Sequence, residues 1–242
     1  METDEIIQVK DLYKVYKTGS EKVFALNGVN LSIHKGEVCC IFGPSGSGKS
    51  TLLNMLAGME KPSKGNILIA NRRVSAMNEK ELALFRQSHL GFIFQSYNLL
   101  PQMSALENTA LPLCFGGVDK KTRNKAAAAI LKKVGLENRM HHYPGQMSGG
   151  QQQRVGIARA LVNRPAVIFA DEPTGNLDSK TKVEILNLIR SFATRYNQTI
   201  IMVTHDPQTA EYADHTVHLL DGKIVKEEFF DRKDKTEAKA SV

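Results

Sequence analysis

Ser148-Gly149-Gly150-Gln151-Gln152 lies between a complete phosphate loop, Gly43-Pro44-Ser45-Gly46-Ser47-Gly48-Lys49-Ser50-Thr51, and an acidic strand end, Asp171-Glu172. Ser148 and Gln151 stand at capping-box spacing, and Val155, Ala158, Leu161 and Val162 supply an apolar face for the helix that follows. An ordinary capped helix accounts for that much. It does not account for Gly149-Gly150 in the first turn, a pair that weakens the helix locally but bares backbone N–H groups for the close approach of an anion. A phosphate loop alone serves kinases, GTPases and helicases alike; the order of loop, glycine-started helix and acidic strand end narrows the field.

The phosphate loop follows the apolar run Val38 to Phe42 and precedes the helix-like Leu52 to Leu56, the strand-loop-helix context this motif needs. Its glycines let the backbone wrap so that N–H groups face phosphate oxygens, and the next helix offers its positive end. Lys49 is expected to neutralise the β and γ phosphates of ATP, and the Ser50 hydroxyl to coordinate Mg²⁺. Farther on, the buried-looking run Val167 to Ala170 ends in Asp171-Glu172, which places two acids at the carboxyl edge of a parallel sheet. Asp171 is suited to hold Mg²⁺ and Glu172 to polarise an attacking water.

A chain of 242 residues with 24% charged and 42% hydrophobic residues reads as one large folded α/β domain rather than a disordered one. No apolar run approaches the roughly 18 residues of a membrane span, and Met1-Glu2-Thr3-Asp4-Glu5 is the wrong start for a secretory signal. A cytoplasmic protein is expected, with any membrane part on another polypeptide. The net charge of +7 is compatible with an anionic ligand or lipid surface and with scattered solvated lysines. Cys39 and Cys40 adjoin in an apolar run and point to opposite faces of a strand, which reads as core packing in a reducing compartment. The histidines, His141-His142 and His215/His218 included, show no convincing metal-ligand spacing.

Continuous apolar runs at Val38 to Phe42, Ala166 to Ala170 and Thr199 to Val203 predict strands of a parallel sheet covered on both faces. Ile6 to Val15, Val23 to Ile33 and Gly65 to Ala70 predict a smaller antiparallel layer, and Asp221-Gly222 a late hairpin. Between about 96 and 163 the strand signal disappears; Glu79 to Ser88, Thr122 to Val134 and Gln151 to Val162 read as helices, so 96–163 is expected as a helical subdomain inserted in the core. Residues 1–230 form the expected domain and 231–242 a mixed-charge, frayed tail.

Over nearly its whole length the chain resembles the nucleotide-binding subunits of ABC transporters, and within them the MacB/LolD group. The resemblance rests on the phosphate loop, Phe92-Ile93-Phe94-Gln95, Asn98-Leu99-Leu100-Pro101, Ser148-Gly149-Gly150-Gln151-Gln152-Gln153-Arg154 and Pro173-Thr174-Gly175-Asn176-Leu177-Asp178. It implies a RecA-like P-loop core with an antiparallel β layer and an inserted helical signature subdomain. It also implies that Gln95 contacts Mg²⁺ and the membrane partner, that Asp178 communicates across a dimer, and that His205 touches the γ-phosphate. Tyr16 is similar in position to the aromatic that stacks on adenine; Tyr13 is a rival and core packing an alternative. One departure is visible: the signature opens with Met147 where the family has Leu, a swap between flexible apolar side chains that costs little.

The function implied is an ATPase whose two copies bury two nucleotides, Ser148 and the Gly149-Gly150-Gln151 turn of one copy closing on the γ-phosphate held by the other. A separately encoded integral membrane permease would take up the motion through the loop from Phe94 to Pro101, where Tyr97 to Leu100 reads as a docking segment, with packing of Leu99 and Leu100 in the helical subdomain as the alternative. The ATPase then sits peripherally on the inner face of the membrane, and peptide, lipoprotein or antibiotic-type substrates are expected. Nucleic acid is not an expected partner: a chromosome-organising relative would carry a long coiled coil between Gln95 and Ser148, where only some fifty residues without sustained heptads stand. A translation-factor type would carry two cassettes. A regulator of the FtsE kind, transmitting force without moving a substrate, uses the same motifs.

Overall fold

The computed structural model describes residues 4–19 and 21–230, so the expected tail at 231–242 lies outside the described residues. The chain divides into two units, one formed by residues 1–77 with 199–242 and the other by 78–198.

The first unit begins with two long strands, β1 (Glu5–Thr18) and β2 (Glu21–His34), paired antiparallel. Their loose alternation has a local cause. Asp11 takes φ 47° and Gly28 φ 76°, and the register shifts between Val9 and Leu12. The buried positions therefore change phase, from Ile7 and Val9 to Leu12 on β1 and from Leu26 to Val29, Leu31 and Ile33 on β2. After β3 (Val38–Phe42) comes α1 (Lys49–Leu56), then β4 (Lys64–Ile69) on the free edge of β1 and the short β5 (Arg72–Arg73) outside it.

The second unit opens with α2 (Glu79–His89), capped by a reciprocal Asn78/Glu81 box, and runs into β6 (Leu90–Phe94). Helices α3 (Ala105–Phe115), α4 (Lys120–Lys133) and α5 (Gly149–Leu161) then pack together around Ala110, Ala127 and Val162, with Leu106, Leu113 and Ile130 beside them. Strand β7 (Val167–Asp171) pairs parallel with β6, and Phe92 stacks on Phe169 across the pair. Helix α6 (Ser179–Tyr196) closes the unit.

The chain returns to the first unit with β8 (Thr199–Thr204), the short α7 (Pro207–Ala210), β9 (His215–Leu220) and β10 (Lys223–Phe229). There β3 lies between β8 and β9, parallel to both, with β10 antiparallel on the outside of β9. This central position is why Val38 to Ile41 are all buried. The turn Asp221-Gly222 has φ of 45° and 72°, as a tight hairpin of this kind requires.

Strand β6 and helices α3 and α6 are not among the elements expected above. Helix α3 is apolar nearly all round and holds Pro112, so no helical period marks it. In α6, by contrast, the buried Ile185, Leu186, Ile189, Phe192 and Ala193 recur at helical spacing.

Candidate functional site

In the first unit the phosphate loop is shaped by neighbours that leave no room for side chains. A Cβ on Gly43 would overlap the carbonyl oxygen of Leu219, and one on Gly48, at φ 102°, the carbonyl oxygen of Ala25. Gly46, at φ 81°, faces open space, so glycine is required there by backbone conformation alone. The hairpin turn supports the loop from outside: the Gly222 N–H donates to the Ser47 carbonyl at 3.0 Å.

Lys49 is buried in the first turn of α1, and its ammonium donates to the carbonyls of Gly43 and Pro44 at 2.8 and 2.7 Å. Its charge is thus held inside the loop curve. Ser47 Oγ is buried with no hydrogen-bond partner among the described residues, an orphaned polar atom inside an anion-shaped cradle. Ser45 and Ser50 are exposed and Thr51 half-buried.

His205 comes to the same edge. Phe42 is opposite Thr204 in the parallel register of β3 and β8, so Gly43 and His205 are the next residues of adjacent strands. His205 is exposed. Tyr16, on β1, is also exposed and donates through its hydroxyl to Glu60 Oε2 at 2.8 Å, with Lys14 Nζ 5.1 Å from the ring centre. Tyr13 is half-buried and its hydroxyl occupies the space beside Gly28.

In the second unit the parallel register sets Phe94 opposite Asp171, so Gln95 and Glu172 emerge side by side. Glu172 has φ 43°, an uncommon conformation for a residue with a side chain and one that turns the chain sharply after the strand. Gln95 is exposed and locked to Asn176 by reciprocal bonds, Nε2 donating to Asn176 Oδ1 at 3.3 Å and Asn176 Nδ2 donating to the Gln95 carbonyl at 3.1 Å. Asp178 caps α6, accepting from the N–H groups of Lys180 and Thr181. A hydrogen bond from the Thr181 side chain, together with these backbone bonds, holds its carboxyl below the usual aspartate range.

The capping box expected at the signature is present: Ser148 Oγ accepts from Gln151 N, and Gln151 Oε1 accepts from Ser148 N. Space at its first turn is tight. A Cβ on Gly149 would lie 2.7 Å from the Tyr97 hydroxyl, and one on Gly150 would strike the Thr181 methyl. Met147, the departure from the family pattern, is buried.

Helix α5 then reaches back to both neighbouring loops through residues that sequence reading gives no role. Gln153, fully buried, donates to the Pro173 carbonyl at 2.6 Å, one residue after Glu172. Arg159 donates to the carbonyls of Asn98 and Tyr97 at 2.5 and 2.7 Å, three and two residues after Gln95. Tyr97 and Asn98 both take positive φ, 60° and 49°, so this is a turn held from outside. Asn108 fixes the next stretch, accepting from Leu100 N at 2.8 Å and donating to the carbonyls of Leu100, Met103 and Ser104. The signal for Gln153 is a polar residue beside a run in which Val155, Gly156, Ile157 and Ala158 are all buried; its loop partner lies 20 residues away and those of Arg159 lie 61 and 62 away, which leaves no local trace.

Mg²⁺ is the ion implied by a nucleotide site; Ser50 in the first unit, and Gln95 and Asp171 in the second, each carry hard oxygen donors of the kind it takes. The orphaned Ser47 hydroxyl and the inward Lys49 suit a bound polyphosphate. Chemically, the first unit supplies an anion cradle with a cation inside it and a histidine at its rim. The second supplies a carboxylate pair, a glutamine and a helix N-terminus stripped of side chains.

Comparison with known proteins gives the family and the fold. The protein-family profile described as ABC transporter matches residues 26–175. The lipoprotein-releasing system ATP-binding protein LolD of Cytophaga hutchinsonii is 44% identical over 221 residues, which is 91% of this chain and 99% of LolD. The macrolide export ATP-binding/permease protein MacB of Hyphomonas neptunium is 46% identical over 225 residues, 93% of this chain but 35% of MacB. Among solved structures, the dimeric post-hydrolysis state of the ATP-binding cassette MJ0796 bound to ADP and Pi superposes with a TM-score of 0.85 at 43% identity, covering 93% of this chain and 99% of that one.

Proposed function

The chain belongs to the ABC transporter family, as an ATP-hydrolysing cassette of the MacB/LolD group with the P-loop ABC ATPase fold, and on that premise we propose that it drives a separately encoded membrane permease. The observation that carries this reading is the match to LolD over 91% of this chain and 99% of that one, a protein named as the ATP-binding protein of a lipoprotein-releasing system. No described helix is long and apolar enough to cross a membrane, which suits an ATPase working at the inner membrane face beside a spanning partner. The names of those relatives, a lipoprotein-releasing system and a macrolide exporter, support export or extraction of a peptide, lipoprotein or antibiotic-type substrate as the task of that complex.

Within this reading the phosphate loop from Gly43 to Thr51 binds ATP, Lys49 neutralises its terminal phosphates, and Tyr16 takes the adenine. Ser50, Gln95 and Asp171 hold Mg²⁺, which lends charge neutralisation to the phosphates. Glu172 accepts a proton from the attacking water and so orients it, and His205 donates to the γ-phosphate. Two copies pair head to tail, as the MJ0796 cassette is dimeric, so that Ser148, Gly149, Gly150 and Gln151 of one close over the nucleotide of the other, with Asp178 at the junction. Loss of the γ-phosphate removes charge that holds the copies together, and they part. The Arg159 and Gln153 bonds from the signature helix support a mechanical path from that closure to the Gln95 loop.

The test is affinity purification of a tagged Glu172→Gln chain with ATP from detergent-solubilised membranes of its own cells. A complex of two copies with an integral membrane protein, whose ATPase activity returns with the unmutated chain, is the expected outcome. Dimers free of any membrane protein, with ATP and with ADP alike, would remove the permease role.

A further inference from the structure

The buried side chains Glu37, Cys39 and His215 in the first unit take no part in the nucleotide chemistry. Cys39 on β3 is opposite His215 on β9 in parallel register, and Glu37, two residues before Cys39, shares its face of the strand. Their relative exposures are 6%, 0% and 1%, and a carboxylate oxygen, a thiol sulfur and an imidazole nitrogen all lie within 4.8 Å of one another. We propose that these three residues form a site for a thiophilic divalent cation of the zinc class.

The donor set is one carboxylate, one thiol and one imidazole; zinc takes all three, whereas magnesium and calcium take oxygen donors such as the carboxylate and not the thiol. What surrounds it matches the support a metal site needs. His215 Nδ1 is 2.7 Å from Glu37 Oε1, while Nε2 is 2.9 Å from Glu227 Oε2. With Nδ1 on the metal, Nε2–H donates to Glu227, the carboxylate-histidine-metal relay that fixes the tautomer and ring orientation. The ring is further held by stacking on Phe229, with centroids 4.2 Å apart. The other oxygen of Glu37 accepts from the His34 backbone N–H at 2.7 Å, which orients that ligand too.

Around zinc, ligand atoms at about 2.0–2.3 Å from the ion stand roughly 3.3–3.8 Å apart, so the present Glu37–His215 contact needs to open by about 1 Å or less. His34 Nδ1, 3.2 Å from Glu37 Oε2 and on a half-exposed side chain, marks the solvent side where a fourth ligand enters. The ion would tie β3 to β9, the strands that lead to the phosphate loop and to the Gly222 turn bonded to it.

The experiment uses the full chain, stripped with a chelator and free of nucleotide, titrated with Co²⁺ and then Zn²⁺, both at equilibrium and after refolding with the ion. One equivalent of Co²⁺ is expected to give a thiolate-to-cobalt charge-transfer band that Zn²⁺ abolishes. The band should vanish in Cys39→Ser, weaken at least tenfold in apparent affinity in His215→Gln, and persist in Cys40→Ser, whose side chain points to the opposite face. X-ray absorption of the unmutated zinc complex, which needs no variant to fold, should show one sulfur and at least one imidazole in the first shell. A band that survives Cys39→Ser, no band in the unmutated chain by either loading route, or a shell of oxygen and nitrogen only would each overturn the site and leave a proton-bridged Glu37–His215–Glu227 chain.

Discussion

Replacing Arg159 tests whether the signature helix holds the loop after Gln95. Its guanidinium donates to two backbone carbonyls, those of Tyr97 and Asn98, and no hydrogen-bonding group of an Arg159→Met variant replaces it. Hydrogen bonds from a charged donor are each worth about 1.5–3 kcal/mol net, so the gross loss is about 3–6 kcal/mol. Part of this returns, because burial already disfavours the charged guanidinium and pulls its pKa down, and methionine carries no such cost. A net destabilisation of about 2–3 kcal/mol is expected, seen as a fall of roughly 4–12 °C in the melting temperature for a chain of this size. Arg159→Lys should fall between, since an ammonium keeps the charge but not the fork that reaches both carbonyls. Hydrogen exchange localises the effect: amides around Tyr97 to Leu100 should exchange about one to two orders of magnitude faster, while those of β7 stay protected. Stability within about 0.5 kcal/mol of the parent, together with unchanged exchange in that loop, would show that these two bonds do not hold it.

Glu172→Gln should retain ATP binding while slowing hydrolysis by on the order of a hundredfold or more; near-normal steady-state turnover would remove Glu172 from the water-activating role. Mixing Ser148→Arg with Lys49→Ala chains should restore activity that neither shows alone, because one of the two sites in the mixed dimer then carries both lesions and the other none; a mixture as inactive as its components would place loop and signature of each site on one chain. Asn108→Ala removes four hydrogen bonds of a fully buried amide, an expected loss of about 2–3 kcal/mol in urea unfolding, and a loss below about 0.5 kcal/mol would contradict its role in fixing residues 100–104. Glu60 is subject to burial, which lifts its pKa, but hydrogen bonds from Lys14 and Tyr16 outweigh this and hold the carboxyl below the usual glutamate range. Its contribution is present above the unfolded value, about 4.3, and is lost as pH falls through the folded one, so Glu60→Gln should flatten the decline in stability between pH 6 and 3; an unchanged slope would refute the linkage.

The chemistry-bearing motifs were legible in sequence because each is local. The glycines of the phosphate loop answer to backbone wrapping within a few residues, and the Ser148–Gln151 box closes over a single turn. The apolar runs at Val38, Val167 and Thr199 read as doubly covered strands for the same reason, since burial on both faces writes itself into consecutive residues. What required tertiary structure is pairing between distant segments. Register places Gln95 next to Glu172 and Gly43 next to His205, and a one-residue slip in either strand pair, invisible in composition, would separate them. The buried Gln153 and the half-buried Arg159 satisfy backbone groups about twenty and about sixty residues away, so nothing near them in the chain announces their partners. Cys39 and His215 are the sharpest case: spacing along the chain shows no ligand set, and only the parallel alignment of β3 with β9 sets the two side by side, because a sheet joins residues by hydrogen-bond register rather than by sequence distance.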